Sequence, residues 1–319
     1  MTPDAARSRS ASLKPGCLPA LHARGPYDFT RSFSRIVCAV VATRHPEMGE
    51  RAHPMAGGEF TLALRQSGRP LLLGLRQDAD GAILPRVLAG RVTPREEGPV
   101  LAEIRRILCL DHELDDFYET VAGDRPLRRL TERYRGLRLV LSPTAFQGLI
   151  HAILFQQISY AAAQTVENRF IARWGETIGE DDRQSPLFPT PEQVAGLDVD
   201  VLRSVGIPPR KAQAILQVAR ETVAGKLDLE TLASGTDAAA VARRLEAYCG
   251  IGPWTAHHVI IRGMGMKDCL PTEDPGLRRA VAELYARAMI TSSQLEHLAE
   301  RWRPWRSYAT YYLWNTFWE

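Results

Sequence analysis

Apolar residues change their spacing once along the chain, and that change separates two kinds of structure. Between Tyr27 and Val92 they come in short runs: Ile36–Ala42 (IVCAVVA), Glu59–Gln66 (EFTLALRQ), Pro70–Gln77 (PLLLGLRQ) and Ala82–Val92 (AILPRVLAGRV). Such runs are rich in branched and aliphatic residues. Gly-, Asp- and Pro-containing breaks such as AGG, QSGRP and DADG separate them, which predicts β-strands. From Pro99 onward the period becomes helical. Helices are predicted over Pro99–Leu110, Ser142–Trp174, Pro189–Val205, Pro208–Ala224, Asp237–Tyr248, Pro253–Met264, Pro275–Met289 and Thr291–Trp302. Most of these starts carry Ser, Thr, Asp or Pro, the residues that helix N-termini prefer. The links VGIPP, CGIGP and PTEDP contain the Gly and Pro that stop helices. The expected architecture is α+β: a small α/β domain over residues 26–115, then an all-α domain over 116–319. Residues 1–25, rich in Ser, Arg, Pro and Ala, are expected to form a mobile tail.

With 319 residues, 45% of them hydrophobic and 24% charged, the chain can bury cores for two domains. Forty Lys and Arg face 37 Asp and Glu, a net charge of +3, which excludes a binder held mainly by bulk positive charge. A local basic patch remains compatible with that total. Ile36–Ala42, the longest apolar run near the start, has seven residues, too few to span a membrane, and the tail lacks the apolar stretch of a signal peptide. Five widely spaced cysteines form no C-x-x-C pair, and the one adjacent histidine pair, His257-His258, cannot chelate as an i,i+4 pair does. A reduced, cytoplasmic protein without metal or other cofactor is expected.

The richest stretch chemically is Leu245–Val281 (LEAYCGIGPWTAHHVIIRGMGMKDCLPTEDPGLRRAV). One predicted helix ends at Tyr248, Gly250-Ile251-Gly252 makes a tight turn, and a second helix begins at Pro253. Such a turn presents backbone amides and a helix N-terminus together, a way to hold a phosphate without Lys or Arg. An ordinary helical hairpin needs the same glycines, so the turn alone does not decide. Asp274 follows Gly252 by 22 residues and opens a helix with Pro275, which is also an ordinary N-cap. All six Trp lie at position 174 or beyond, five of them between Trp254 and Trp318. A carboxylate between a phosphate-holding turn and an aromatic cluster stands where cleavage of a base–sugar bond needs negative charge.

This combination resembles the helix-hairpin-helix DNA glycosylase superfamily, and within it the DNA-3-methyladenine glycosylase II family. Residues 137–161 (LRLVLSPTAFQGLIHAILFQQISYA), 188–220 (FPTPEQVAGLDVDVLRSVGIPPRKAQAILQVAR) and 300–314 (ERWRPWRSYATYYLW) are similar to further family motifs, as is Pro26-Tyr27-Asp28-Phe29 at the start of its N-terminal domain. The resemblance implies a TBP-like N-terminal domain, a helix-hairpin-helix near 238–264, and Asp274 as the catalytic carboxylate, stabilising an oxocarbenium-like transition state or orienting water. Glu273 ranks behind it. Trp254 and Trp314 would sandwich an extruded base, with a cationic base favoured by their π-faces; Trp302, Trp305 and Trp318 read as core. Trp254 stands where DNA-nicking relatives carry a nucleophilic Lys, which implies hydrolysis without a lyase step. His258 stands where the resembled alkyl-base family carries a Tyr, which leaves pocket polarity and preferred base open. Gly250, Ile251, Gly252, Gln156, Gln157, Ser159, Lys211 and Arg306 would meet DNA, with Gln157 as the wedge that fills the gap left by the flipped base. Arg210 and Arg303 are weaker candidates. The backbone carbonyls of Glu246, Tyr248 and Ile251 would hold a structural sodium or potassium ion. The partner implied is duplex DNA with damaged bases, met by a monomer at the bacterial nucleoid. A glycosylase for an oxidised or deaminated base and a non-catalytic damage-binding module remain as alternatives. A small-molecule α/β enzyme lacks any phosphate loop or nucleophile motif in the N-terminal strands.

Overall fold

The computed structural model describes residues 16–34, 58–179 and 184–318. The predicted strand Ile36–Ala42 and Cys38 lie outside the described residues. In chain order the elements are α1 (Phe29–Ser34), β1 (Phe60–Gln66), β2 (Arg69–Gln77), β3 (Ile83–Ala89), α2 (Glu97–Ile107), α3 (Leu114–Val121), α4 (Arg125–Arg133), α5 (Ala145–Leu154) and α6 (Tyr160–Trp174). A short hairpin follows, β4 (Glu176–Ile178) with β5 (Ser185–Leu187), and then α7 (Pro191–Ala195), α8 (Val199–Arg203), α9 (Pro209–Val223), α10 (Ala238–Glu246), α11 (Pro253–Arg262), α12 (Pro275–Leu284), α13 (Ser292–Ala299) and α14 (Arg306–Trp314).

The sheet β1-β2-β3 is antiparallel. Ser67 and Gly68 join β1 to β2, both with positive φ, which suits the right-handed twist of the strands they connect. Alternation sorts the side chains. Phe60, Leu62, Leu64, Leu71, Leu73 and Leu75 pack on Val100, Ile104 and Ile107 of α2, while Ala63 and Leu72 meet Leu187 of β5 on the other face. The helical part thus covers the sheet through a hairpin that its short, polar sequence did not predict. Arg65 Nη1 donates to Glu176 Oε2 at 3.0 Å across this contact.

The expectation of a tail up to residue 25 fails for 16–25. Leu18 and Leu21 are buried, and their amides donate to Pro85 O and Ile83 O at 3.0 and 2.9 Å, so the segment lies along β3 as added edge pairing. Arg138 then ties this segment to the helices. Its guanidinium is fully buried and donates to the carbonyls of Arg24, Pro26, Cys109 and His112. Four backbone acceptors satisfy a buried charge that unpaired would be strongly unfavourable.

The second, larger core runs from Cys109 to Leu313. Trp302 and Trp305 belong to it. Trp302 Nε1, Tyr285 Oη and Arg301 Nε all converge on Asp124 Oδ2, at 2.9, 2.6 and 3.0 Å, and Asp124 also caps α4. The long helix predicted over Ser142–Trp174 is two helices, α5 and α6. Gln157 between them takes φ +53°, and Ser159 caps α6 by accepting from Ala162 N at 3.3 Å. Pro189–Val205 likewise divides, because Asp198 starts a new helix by accepting from Val201 N at 2.8 Å. α12 stops at Leu284, well short of Met289, where Ala286 adopts φ +51°.

Candidate active site and DNA-facing groove

The two helices α10 and α11 meet at the turn 247–252. Gly250 has φ +83°, and a Cβ there would sit 2.8 Å from Ala214 Cβ, so glycine is required by both conformation and packing. Gly252 differs. Its φ is −97°, and an added Cβ would find nothing within 4 Å, so the bare backbone faces open space. Gly252 is the N-cap of α11 and supplies no side-chain cap; Ala256 is the first residue to donate back, to Gly252 O at 3.0 Å. The amides of Trp254 and Thr255 in the first turn therefore have no intrahelical acceptor, and Pro253 has no N–H to satisfy.

Beside this turn lies a cleft of about 700 Å³, lined by Gln156, Gln157, residues 250–255, Glu273 and Pro275. The 155–159 turn is fastened to the hairpin. Gln156 Nε2 donates to Gly250 O at 2.9 Å and to Thr255 Oγ1 at 2.7 Å. Lys211 braces it from beneath, with Nζ donating to Leu154 O and Gln156 O at 2.7 Å each. Two of the residues expected at DNA, Gln156 and Lys211, are thus turned to protein carbonyls and a hydroxyl. Burial lowers the Lys211 pKa from the usual ammonium range, consistent with that inward position. Gln157 keeps the cleft-facing place, in a left-handed backbone that costs about 1 kcal/mol or more for a residue with a Cβ. Ser159 is the cap of α6, as described above.

Asp274 opens α12 and is 9% exposed. Its Oδ1 accepts the Leu277 amide at 2.5 Å, the capping bond, and the indole Nε1 of Trp314 at 3.0 Å. Its Oδ2 accepts Trp254 Nε1 at 2.7 Å. The two indoles expected to be aromatic walls also grip the carboxylate by their edges, from residues 20 and 40 positions away. His258 stands with them, its ring 5.0 Å from Trp254 in a stacked arrangement and 5.8 Å from Trp314. The four residues expected to form the catalytic pocket are therefore together. Burial pushes the His258 pKa well down, and the nearby His151 and Arg262 push it further, so the ring is uncharged near neutral pH. Glu273, which also lines the cleft, has Oε2 3.4 Å from His257 Nδ1.

Arg306 does not reach the cleft lining. Its fork is taken up by Asp268, through Nε at 2.5 Å and Nη2 at 3.0 Å, with Glu300 3.7 Å from Nη1. Arg303 shares both acids, and Arg210 is exposed. The expected cation ligands lie at the carboxyl end of α10, the partially negative end of a helix. One of them, Tyr248 O, already accepts Ile251 N at 3.1 Å.

Sequence reasoning passed over a buried pair behind the pocket, His151 Nδ1 and Glu167 Oε1 at 2.8 Å, with side chains 3% and 0% exposed. Its nearest signal was a histidine inside the apolar run AFQGLIHAIL. Arg262, 4% exposed and 5.4 Å from the Tyr311 ring, was passed over as well.

A family model described as "HhH-GPD superfamily base excision DNA repair protein" matches residues 150–304. The DNA-3-methyladenine glycosylase of Bacillus subtilis (strain 168) is 30% identical over 222 residues, 69% of this chain and 72% of that protein. The chain belongs to the HhH-GPD superfamily. The fold agrees over nearly its whole length with a 3-methyladenine DNA-glycosylase from Archaeoglobus fulgidus, with a TM-score of 0.78 at 24% identity, covering 93% of this chain and 97% of that one. A 3-methyladenine DNA glycosylase of Schizosaccharomyces pombe, solved in complex with abasic DNA, is 26% identical with a TM-score of 0.54, covering 63% of this chain and 96% of that one. The family match spans the cleft from α5 to Pro304, with Trp314 just beyond it.

Proposed function

We propose that this chain is a monofunctional base-excision glycosylase that extrudes alkylated purines of the 3-methyladenine type from duplex DNA and hydrolyses the N-glycosidic bond, leaving an abasic site. The observation that carries this reading is Asp274, held at the cleft by the N–H edges of Trp254 and Trp314. With both oxygens engaged, the carboxylate is a fixed negative charge whose orientation needs no change during reaction. That is the property that stabilises positive charge growing on the sugar as the bond to the base breaks. Engagement of both oxygens favours this electrostatic role over proton abstraction from water. The faces of the same indoles favour a cationic base, worth about 0.5–2 kcal/mol or more once water is excluded. A neutral His258 beside them adds no repulsion.

The hairpin supplies the DNA grip. Amides at the start of α11 and the side-chain-free Gly252 can approach a phosphate closely, with the helix dipole in place of a basic side chain. From Glu246 to the C-terminus, eight Lys and Arg balance eight Asp and Glu, so binding depends on this device more than on net charge, and its salt slope is modest. Gln157 fills the gap left by the extruded base and can hydrogen-bond the orphaned partner. A monovalent cation at the Glu246, Tyr248 and Ile251 carbonyls would supply positive charge at the same phosphate; Tyr248 O retains a second lone pair for it. On this reading the protein acts on DNA as a monomer at the bacterial nucleoid.

The test is incubation with methylated genomic DNA and identification of the free bases released. Release of 3-methyladenine without 8-oxoguanine is expected; the reverse points to an oxidised-base enzyme, and binding without release points to a damage-binding module. Because Trp254 offers no amine for a Schiff base, borohydride should trap no protein–DNA adduct. A trapped adduct overturns the hydrolytic mechanism.

A further inference from the structure

His258 differs from His112 and His151 in what its ring meets. His112 Nδ1 meets Tyr308 Oη at 2.8 Å and His151 Nδ1 meets Glu167 Oε1 at 2.8 Å, whereas His257 Nδ1, 3.4 Å from Glu273 Oε2, is buried without a hydrogen bond. No group among the described residues hydrogen-bonds the His258 side chain; it makes ring contacts alone, with Trp254, Trp314 and His151. A half-buried imidazole packed among indoles, with no such partner, has its hydrogen-bonding capacity left for water or a ligand. Two of its ring neighbours are the indoles that hold Asp274, and one of them, Trp254, lines the cleft.

We propose that His258 determines base specificity by donating its imidazole N–H to an acceptor on the edge of the extruded base. Among the alkylated purines released, the pocket then gains for guanines, which present a carbonyl oxygen at C6, relative to adenines, which present an amine there. The inference rests on the glycosylase reading above and deepens it.

Electrostatics around the ring select the donor role. An uncharged imidazole carries one N–H and one bare nitrogen, and neighbouring charge decides which way each points. Arg262 lies one turn further along α11 and is buried at 4% exposed, while Trp254, one turn back, lines the cleft. The guanidinium therefore sits on the interior side of His258, where it attracts the bare nitrogen and turns the N–H toward the cleft. On α5, His151 presents a stacked ring 6.1 Å away and is itself bound to the carboxylate of Glu167 on α6. Asp274 is committed to the indoles and to its capping bond. The base edge is the acceptor left for His258.

The test uses one methylated duplex containing both 7-methylguanine and 3-methyladenine, with single-turnover release of each measured for the whole chain and its variants. His258→Phe keeps a flat ring and loses the donor. It should lower 7-methylguanine release relative to 3-methyladenine by about tenfold, the discrimination one hydrogen bond provides. His258→Tyr restores an O–H donor on a ring and should recover the ratio. Because both bases come from the same sample, loss of folded enzyme lowers both rates and leaves the ratio unmoved. His258→Leu makes the same comparison if the Phe variant does not accumulate. An unchanged ratio in an active Phe or Leu variant, or a shift toward 7-methylguanine, overturns the proposal and leaves the glycosylase reading standing. Release of neither base by the unaltered chain overturns both.

Discussion

Asp274→Asn separates the charge of the carboxylate from its structural duty. Asparagine caps a helix about as well as aspartate, so its side-chain oxygen can still accept the Leu277 amide. What disappears is the negative charge and one acceptor. The amide nitrogen that replaces an oxygen faces an indole N–H, Trp254 Nε1 at 2.7 Å or Trp314 Nε1 at 3.0 Å, and donor meets donor. Both indoles are half-buried, so the unmatched N–H costs about 1 kcal/mol, toward the lower end for a lost acceptor. In a chain of this size that lowers the melting midpoint by about 2 °C. The effect on catalysis is far larger. Removing one preorganised charge or dipole from a developing transition state typically costs about 2.7–4 kcal/mol, or two to three decades in rate. Affinity for DNA should hardly change, because the hairpin amides are untouched. The assay is single-turnover base release from methylated duplex DNA, alongside a binding titration and a thermal melt. Asp274→Ala is the control that also loses the cap, and it should melt lower by about a further 1 kcal/mol. If Asp274→Asn releases bases within about threefold of the native rate, a gap under 1 kcal/mol, Asp274 is only a cap and the electrostatic mechanism is wrong.

Three further outcomes are expected. Gly252→Ala should fold with its stability nearly unchanged, since a Cβ there meets nothing, yet weaken DNA binding; Gly250→Ala should lose about 1–2 kcal/mol from its left-handed backbone, plus the clash with Ala214, in a thermal or denaturant melt. Lys211→Met removes both bonds to the carbonyls of Leu154 and Gln156, so base release should fall more than DNA binding as the Gln157 turn loosens. His112 is pushed down to about 4, chiefly by burial, so the unfolded chain takes up its proton first as pH falls. Stability is therefore fully present above about pH 6.5 and declines toward pH 4, and His112→Gln should flatten that decline in melts across the range.

Periodicity and turn residues were enough to place three of the strands and most of the long helices. The family resemblance picked out Trp254, Trp314 and His258, while turn and capping chemistry also singled out the Gly250–Gly252 turn and Asp274. These are local signals: φ preference, capping chemistry and side-chain spacing act within a few residues of where they are written. Contacts between distant residues were not legible. Nothing in the spacing of Trp254, Asp274 and Trp314 says that two indoles turn their N–H edges to one carboxylate, because that depends on how α11, α12 and α14 pack. Lys211 and Arg306 show the same limit from the other side. A charged side chain on a helix reads as a DNA contact until folding sets carbonyls or Asp268 against it, and a charge so neutralised has little left to offer a phosphate. Leu18 and Leu21, too sparse to signal a strand, are held by the unpaired edge of β3. The chain's local chemistry specified the parts and its family resemblance the reaction class; the packing of elements far apart in sequence decided which polar groups are engaged within the protein and which, like the backbone at Gly252, are left facing the cleft.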